Sequence, residues 1–193
     1  MYILAITPGQ GLDPAQWERV ARSGIDALML RERMDPRDLL VAARQVREWA
    51  PEIALWVNGR LDVALAARCG LHAPEAYPQV PQGLLAVSRP IHDPDQVPAR
   101  SEAHQLILSP IFPVPGKGPA WGPERLRAIL DAMPPVASRV LALGGITPAN
   151  AAQLRHPRLD GVALIRGLWS APDPAQVVAQ LRAAWSGAGA EAR

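Results

Sequence analysis

The sequence predicts an α/β fold, a small single-domain (β/α)8 TIM barrel with parallel strands. Three observations carry this reading. Eight short apolar runs with little polar alternation recur along the chain, as expected of parallel strands buried on both faces. Successive runs begin roughly 15 to 30 residues apart, the length that a strand, a loop and a crossover helix consume together. Between many of them stand Asp-Pro pairs. There the carboxylate can accept from the free N–H groups of a first helical turn, and proline needs no donor and already has a helical φ.

In chain order, residues 2–6 form the first strand and Asp13-Pro14 opens the helix behind it. Residues 25–30 are the second strand. Asp35-Pro36 then opens a helix in which Leu39, Leu40, Ala43, Val46 and Arg47 recur at helical spacing. Residues 53–57, 70–72 and 84–87 supply strands three to five, with a helix start at Asp93-Pro94. Strand six is 105–108, followed by Gly122-Pro123, and strand seven is 140–143, followed by Thr147-Pro148. Strand eight is 161–165, and Asp173-Pro174 starts a last helix carrying Val177, Val178, Leu181 and Trp185. An open doubly wound sheet is the competing arrangement. The barrel takes residues 1–186, and 187–193 (Gly-Ala-Gly-Ala-Glu-Ala-Arg) reads as a frayed C-terminal tail. With 193 residues the barrel lies near the lower size limit of its class, so some helices must be short.

Composition narrows the function classes. One cysteine, Cys69 beside Gly70, excludes a disulfide scaffold and reads as a small core filler. The net charge of +2 is too small to imply a nucleic-acid partner, and no run of like charges forms a basic arm or acidic tail. No apolar run approaches the roughly 20 residues that span a bilayer. The first residues, Met1-Tyr2-Ile3-Leu4, lack the pattern of a signal peptide. A soluble cytoplasmic protein is the expectation. The basic residues are 19 Arg and a single Lys, Lys117, set between Gly116 and Gly118.

Barrels of this type place active sites at the C-terminal ends of their strands. In this reading Thr7, Asn58 and His72 end strands one, three and four. Arg31 and Arg33 end strand two, alternating with Glu32 so that both point into the barrel mouth. Salt bridges to Asp62 or Glu75 are the competing explanation for that pair. Ser88, Arg89 and His92 follow strand five, and Ser109 through Lys117 follow strand six as a proline-stiffened flap. Gly144-Gly145 follows strand seven, and Ile165, Arg166 and Gly167 close strand eight. The set is cationic and polar, so an anionic ligand is expected. Loops after strands seven and eight are the usual phosphate cradle of such barrels, built from loop amides and a helix N-terminus. A side chain introduced at Gly145 is expected to fill the anion's place.

These residues resemble the thiamine phosphate synthase/TenI family of small barrels over nearly the whole chain. Leu28-Met29-Leu30-Arg31-Glu32-Arg33 is similar to a Q-x-R-x-K signature on strand two, and Val57-Asn58-Gly59-Arg60-Leu61-Asp62 to an N-D-R-x-D motif on strand three. Gly70-Leu71-His72 resembles G-V-H. Pro110-Ile111-Phe112-Pro113 through Lys117 resembles the P-[IV]-F-P-T-x-[ST]-K flap, and Leu143-Gly144-Gly145-Ile146-Thr147-Pro148-Ala149-Asn150 the I-G-G-I-x-x-x-N loop. The resemblance implies one of two activities. The synthase joins a hydroxymethylpyrimidine pyrophosphate to a thiazole phosphate, releasing pyrophosphate with Mg2+ held by two aspartates. The TenI branch binds a thiazole phosphate and isomerises a thiazole carboxylate tautomer by acid/base catalysis, without a cofactor.

Departures from the pattern weigh on the choice. The first Mg2+ aspartate corresponds to Gly59, and the second has no counterpart in His72-Ala73-Pro74-Glu75-Ala76-Tyr77. The tautomerase's acid/base histidine on strand six corresponds to Ser109, which leaves His92 and His72 as the groups titrating in the useful range. The leading expectation is therefore a TenI-like tautomerase, with His92, His72 and Ser109 as catalytic candidates. Arg31, Arg33, Asn58, Ser88, Lys117, Gly144, Gly145, Ile165 and Arg166 are its ligand-binding candidates, and it uses no metal. A divergent synthase that uses Mg2+ is the alternative, and a non-catalytic phosphate-ligand regulator is the second. The expected partner is a small phosphorylated thiazole, and homodimers are common among barrels of this family.

Overall fold

The computed structural model describes residues 1–11 and 13–187. Its eight strands are Tyr2–Ile6 (β1), Ala27–Leu30 (β2), Ala54–Asn58 (β3), Gly70–His72 (β4), Val87–Ile91 (β5), Gln105–Leu108 (β6), Arg139–Leu143 (β7) and Gly161–Leu164 (β8). All pair in parallel and in chain order. β8 returns to β1 through the register Tyr2↔Gly161 to Ala5↔Leu164, so the sheet is a closed barrel and not an open one. The helices are Pro14–Ala21 (α1), Pro36–Trp49 (α2), Leu61–Ala66 (α3), Val97–Arg100 (α4), Gly122–Ala132 (α5), Arg166–Trp169 (α6) and Pro174–Ser186 (α7). A small chain closes this fold by shortening crossovers. No helix joins β4 to β5, and only a 3-10 turn, Ala151–Leu154, lies between β7 and β8. Among the described residues no helix is long and apolar enough to cross a membrane. The expected frayed tail falls, apart from Gly187, outside the described residues.

The Asp-Pro pairs behave as capping chemistry dictates. The Asp13 carboxylate accepts from the amides of Ala15 and Gln16, Asp35 from Arg37, and Asp173 from Gln176. Asp93 accepts from Asp95, and the Gln96 side chain accepts the Asp93 amide in return. Each such cap contributes about 1 kcal/mol to its helix. Thr147-Pro148 instead leads only into the 3-10 turn.

Several strand ends shift from the sequence expectation, and two places bear on the site. β5 begins at Val87, three residues later than the apolar pattern suggests, because Leu84 and Leu85 lie in the preceding turn. Ser88 and Arg89 are therefore within the strand, and only His92 follows it. The strand tolerates Pro90 for a reason of register. The carbonyls of Val87 and Ile91 accept from His104 and Ser109, so residues of that parity face β6, and Pro90 faces β4. β4 already ends at His72, opposite Ser88, so the missing N–H costs no ladder bond. β2 stops at Leu30, and Arg31 begins a loop whose first amide donates to Thr7 Oγ1 at 2.8 Å.

Alternation along each strand sorts the core into two compartments. Leu4, Ile6, Ala27, Met29, Trp56, Ile107, Leu141 and Ala163 fill the barrel. Ile3, Leu28, Leu55, Val57, Leu106, Val140 and Val162 face outward and pack with the helices. Inside the barrel the large Trp56 ring lies against Gly70 on the neighbouring strand. A Cβ at position 70 would sit 2.3 Å from the ring, a separation no methyl group can occupy. Gly70→Ala should therefore lower stability by about 1–3 kcal/mol through overpacking. Adding Trp56→Phe should recover part of that loss, because the two sites share one space. Urea-denaturation midpoints of the two single variants and the double variant check both statements.

Candidate functional site

A cavity of about 970 Å³ opens at the C-terminal ends of the strands. Met29, Ile107 and Ala163 give it an apolar floor, into which His72 projects from β4. Its walls are the residues after β7 and β8 and the flap between β6 and α5.

The wall after β7 is set by close packing of backbone on backbone. Gly144 and Gly145 take φ of +112° and +63°, conformations open to glycine. The flap lies directly on them, with the amides of Ile111 and Phe112 donating to the carbonyls of Leu143 and Gly144, both at 3.0 Å. A Cβ on Gly145 would lie 2.7 Å from Phe112 Cβ and 3.1 Å from the Pro113 carbonyl. This corrects the sequence expectation: a side chain at 145 would push into the flap rather than fill the place of an anion. The loop is pinned from behind by Asn150, whose Oδ1 accepts the Thr147 amide at 2.8 Å and whose Nδ2 donates to the Gly145 carbonyl at 3.0 Å. Among the described residues the amides of Gly144, Gly145, Ile146, Arg166 and Gly167 have no protein acceptor, and all five residues line the cavity. Unpaired amides at such a place are donors for an anion.

Four cationic side chains line the same cavity: Arg31 from the loop after β2, Lys117 from the flap, Arg125 from α5 and Arg166 from the start of α6. Arg31 is steadied by the carbonyl of Pro8, to which it donates at 3.0 Å. Among the described residues none of the four pairs with a carboxylate. The salt bridges considered for the arginines after β2 do not form. Asp62 pairs with Arg60 at 2.6 Å and Glu75 with Arg100 at 3.7 Å. Arg33 is exposed and does not line the cavity, because the chain has left the strand geometry that would alternate Arg31 and Arg33 into the mouth. Asn58, half-buried at the end of β3, and Ser88, buried in β5, also lie outside the lining.

Ser88 acts on the cavity through His72. Gln105 Nε2 donates to Ser88 Oγ at 3.1 Å, and Ser88 Oγ lies 3.0 Å from His72 Nδ1. The hydroxyl carries one proton and two lone pairs, so beside the Gln105 bond it can pair with Nδ1 in either tautomer of the ring. Desolvation in the barrel, aided by the charges of Arg89 and His92, pushes the His72 imidazole down to about 4. His72 is thus a neutral imidazole near pH 7. His92 stands at the end of β5 with Nδ1 3.1 Å from the Ser109 carbonyl and 3.2 Å from Ser109 Oγ. Donation from Nδ1 to that carbonyl leaves Nε2 with its lone pair. His92 and Ser109 both line the cavity.

Of the residues expected at the site, the fold brings together Arg31, His72, His92, Ser109, Lys117, Gly144, Gly145, Ile165 and Arg166. It adds Trp121 and Arg125, which sequence reasoning passed over because they start a helix some way from any recognisable motif. It also gives Asn150 a pinning role that only its bonds disclose.

Two measurements check this geometry. In native protein His72 should titrate near 4, whereas an unfolded imidazole titrates near 6.5. Between those values the unfolded chain binds the extra proton. The contribution of neutral His72 to stability is therefore complete above about 6.5 and is lost as pH falls towards 4. His72→Gln should flatten the fall in urea midpoint over that range, and NMR of the imidazole should give the low midpoint directly. Asn150→Ala should weaken binding of a phosphorylated ligand about tenfold through a loosened loop, read by calorimetry.

A family model described as thiamine monophosphate synthase matches residues 3–168. The chain is 36% identical to the thiamine-phosphate synthase of Methanoculleus marisnigri, over 97% of this chain and 95% of that protein. It is 35% identical to the thiamine-phosphate synthase of Moorella thermoacetica, over 82% of this chain and 81% of that protein. Among solved structures, thiamine phosphate pyrophosphorylase from Pyrococcus furiosus shares the fold, with a TM-score of 0.81 at 20% identity and 96% of each chain covered. Apart from the segment at the end of β3, the motifs that suggested the family contribute residues to the cavity lining, and with a match across most of its length the chain belongs to the thiamine monophosphate synthase/TenI family.

Proposed function

We propose that the chain is a transferase of the thiamine phosphate synthase type, which holds a thiazole phosphate against the loops after β7 and β8. The observation that carries this reading is a meeting in one cavity. Among the described residues, backbone amides without a protein acceptor stand there with Arg31, Lys117 and Arg166, none of them paired with a carboxylate. The names of the relatives favour the transferase over the tautomerase that the sequence put first. In the reaction the thiazole nitrogen gives its lone pair to the methylene carbon of the pyrimidine. The C–O bond to pyrophosphate breaks, and pyrophosphate leaves with that electron pair. No general acid or base is required for this exchange, so the protein's task is alignment and charge balance.

The chain supplies both. Amides at Gly144, Gly145, Ile146 and Gly167, with Arg166, receive the thiazole's phosphate. The apolar floor takes the rings, and the neutral imidazole of His72 stands beside them. Lys117 and Arg31 face the charge that develops on the departing pyrophosphate. Substrates of this kind are intracellular intermediates, so the reading places the enzyme in the cytoplasm, as a homodimer if it follows its family.

A second reading, the thiazole tautomerase, is favoured by one contact. His92 reaches Ser109 from β5, so an imidazole with a free Nε2 stands beside the position where the resemblance expects the acid/base histidine. One assay separates the two. Purified protein given hydroxymethylpyrimidine pyrophosphate and thiazole phosphate should form thiamine phosphate and pyrophosphate. Lys117→Gln should lower kcat/KM about tenfold or more, and His92→Gln should lower it less than about threefold. Isomerisation of the thiazole carboxylate tautomer without thiamine phosphate formation, abolished by His92→Gln, would replace the first reading with the second.

A further inference from the structure

The Mg2+ implied by the synthase reading requires oxygen ligands, normally one or two carboxylates together with the substrate's phosphates. The acids around this cavity do not supply them. Gly59, at the position of the first aspartate, has no side-chain oxygen, and its amide is bonded to the His72 carbonyl. Glu75, the one acid lining the cavity, accepts from Gln96 Nε2 and pairs with Arg100. Glu32 spends both oxygens on the amides of Gly9 and Gly11, each at 3.0 Å, and Asp62 is held by Arg60. Among the described residues no group of three or more His, Cys, Asp or Glu side chains is placed to hold a metal ion. The donor set does not fit the ion.

The same cavity is lined by Arg31, Lys117, Arg125 and Arg166, from four separate elements and without carboxylate partners among the described residues. Like charges brought to one cavity repel, and a polyanion relieves that repulsion. Three of the four are guanidinium groups, whose paired N–H donors match the oxygens of a phosphoryl group bidentately. We infer that this barrel binds pyrophosphate directly through Arg31, Arg125 and Lys117, with Arg166 kept for the thiazole's phosphate and no divalent cation between protein and ligand. The inference deepens the transferase reading and rests on it for the identity of the ligand. The anion is held by side chains that a departing group can exchange for water, and the acids nearby serve to fix loops.

Calorimetric titration of the full chain with inorganic pyrophosphate, in EDTA and again in MgCl2, tests it. Binding in EDTA is expected to be at least as tight as in MgCl2, since Mg2+ would only compete for the anion. Arg31→Gln and Lys117→Gln, both at exposed positions, should each weaken binding in EDTA about tenfold, with circular dichroism unchanged. Binding that appears only with MgCl2, or that ignores both substitutions, overturns the inference. Thiazole phosphate is titrated in parallel. If it binds and pyrophosphate does not, the metal-free site is wrong while the phosphate cradle stands. If pyrophosphate binds in EDTA but no thiamine phosphate forms from the two substrates, the transferase reading is wrong and the metal-free site stands.

Discussion

The arrangement of this site depends on one close approach, that of the flap to the paired glycines after β7. Residues Pro110 to Phe112 are bonded on two sides at once. On one side the amides of Ile111 and Phe112 donate to Leu143 and Gly144. On the other, the carbonyls of Pro110 and Ile111 accept from Trp121 and Gly122 at the start of α5. The backbone can come this near only because positions 144 and 145 carry no Cβ. From that contact follow the position of Lys117 at the end of the flap, the placement of Arg125 on α5, and the exposure of the β7 loop amides to the cavity. Asn150 completes the arrangement by tying the far side of the loop. The glycines are therefore scaffold first and ligand cradle second, and a residue with no side chain sets where the charged ones stand.

A second constraint is electrostatic. The barrel interior is apolar over most of its length, and an isolated charge there would be costly. The polar groups midway along it are neutral. Gln105 bonds to Ser88, Ser88 to His72, and His72 is kept neutral by the burial that would penalise its charge. Full charges stand at the two ends: Arg139, whose guanidinium lies 3.9 Å from the Tyr2 ring centroid at the N-terminal end, and the cations of the mouth, where water and anions can reach them. An apolar pit with a neutral imidazole at its floor and cations around its rim suits a ligand with heteroaromatic rings and phosphoryl groups.

Much of this architecture is legible in the chain because its signals are local. Asp-Pro pairs announce helix starts since capping is settled within four residues, and Asp13, Asp35, Asp93 and Asp173 all cap as their neighbours dictate. Strand five is misplaced by the same logic. Its apolar run at 84–87 enters the strand only at Val87, and the rest of the true strand carries Ser88, Arg89 and Pro90, which periodicity counts against it. Ser88 suits the interior because Gln105 and His72 satisfy it from neighbouring strands, and Pro90 is tolerated because β4 is short. Both reasons lie elsewhere in the chain. The arginines after β2 illustrate the reverse case. Alternation treats Arg31 and Arg33 as equivalent, and the end of the strand at Leu30 makes them different.

By itself the sequence determined the fold class, the order of its strands and the segments that meet at the mouth, since strand burial, helix caps and glycine turns are all encoded within a few neighbouring residues. The tertiary structure decided which side chains share the cavity, because closure of the barrel joins loops more than 100 residues apart in the chain, such as those bearing Arg31 and Arg166. It also decided which acids are free. Sequence counts Glu32, Asp62 and Glu75 as available carboxylates, and only their bonds to Gly9, Gly11, Arg60, Gln96 and Arg100 show them committed. Charge complementarity is a property of space, and residue types alone cannot express it.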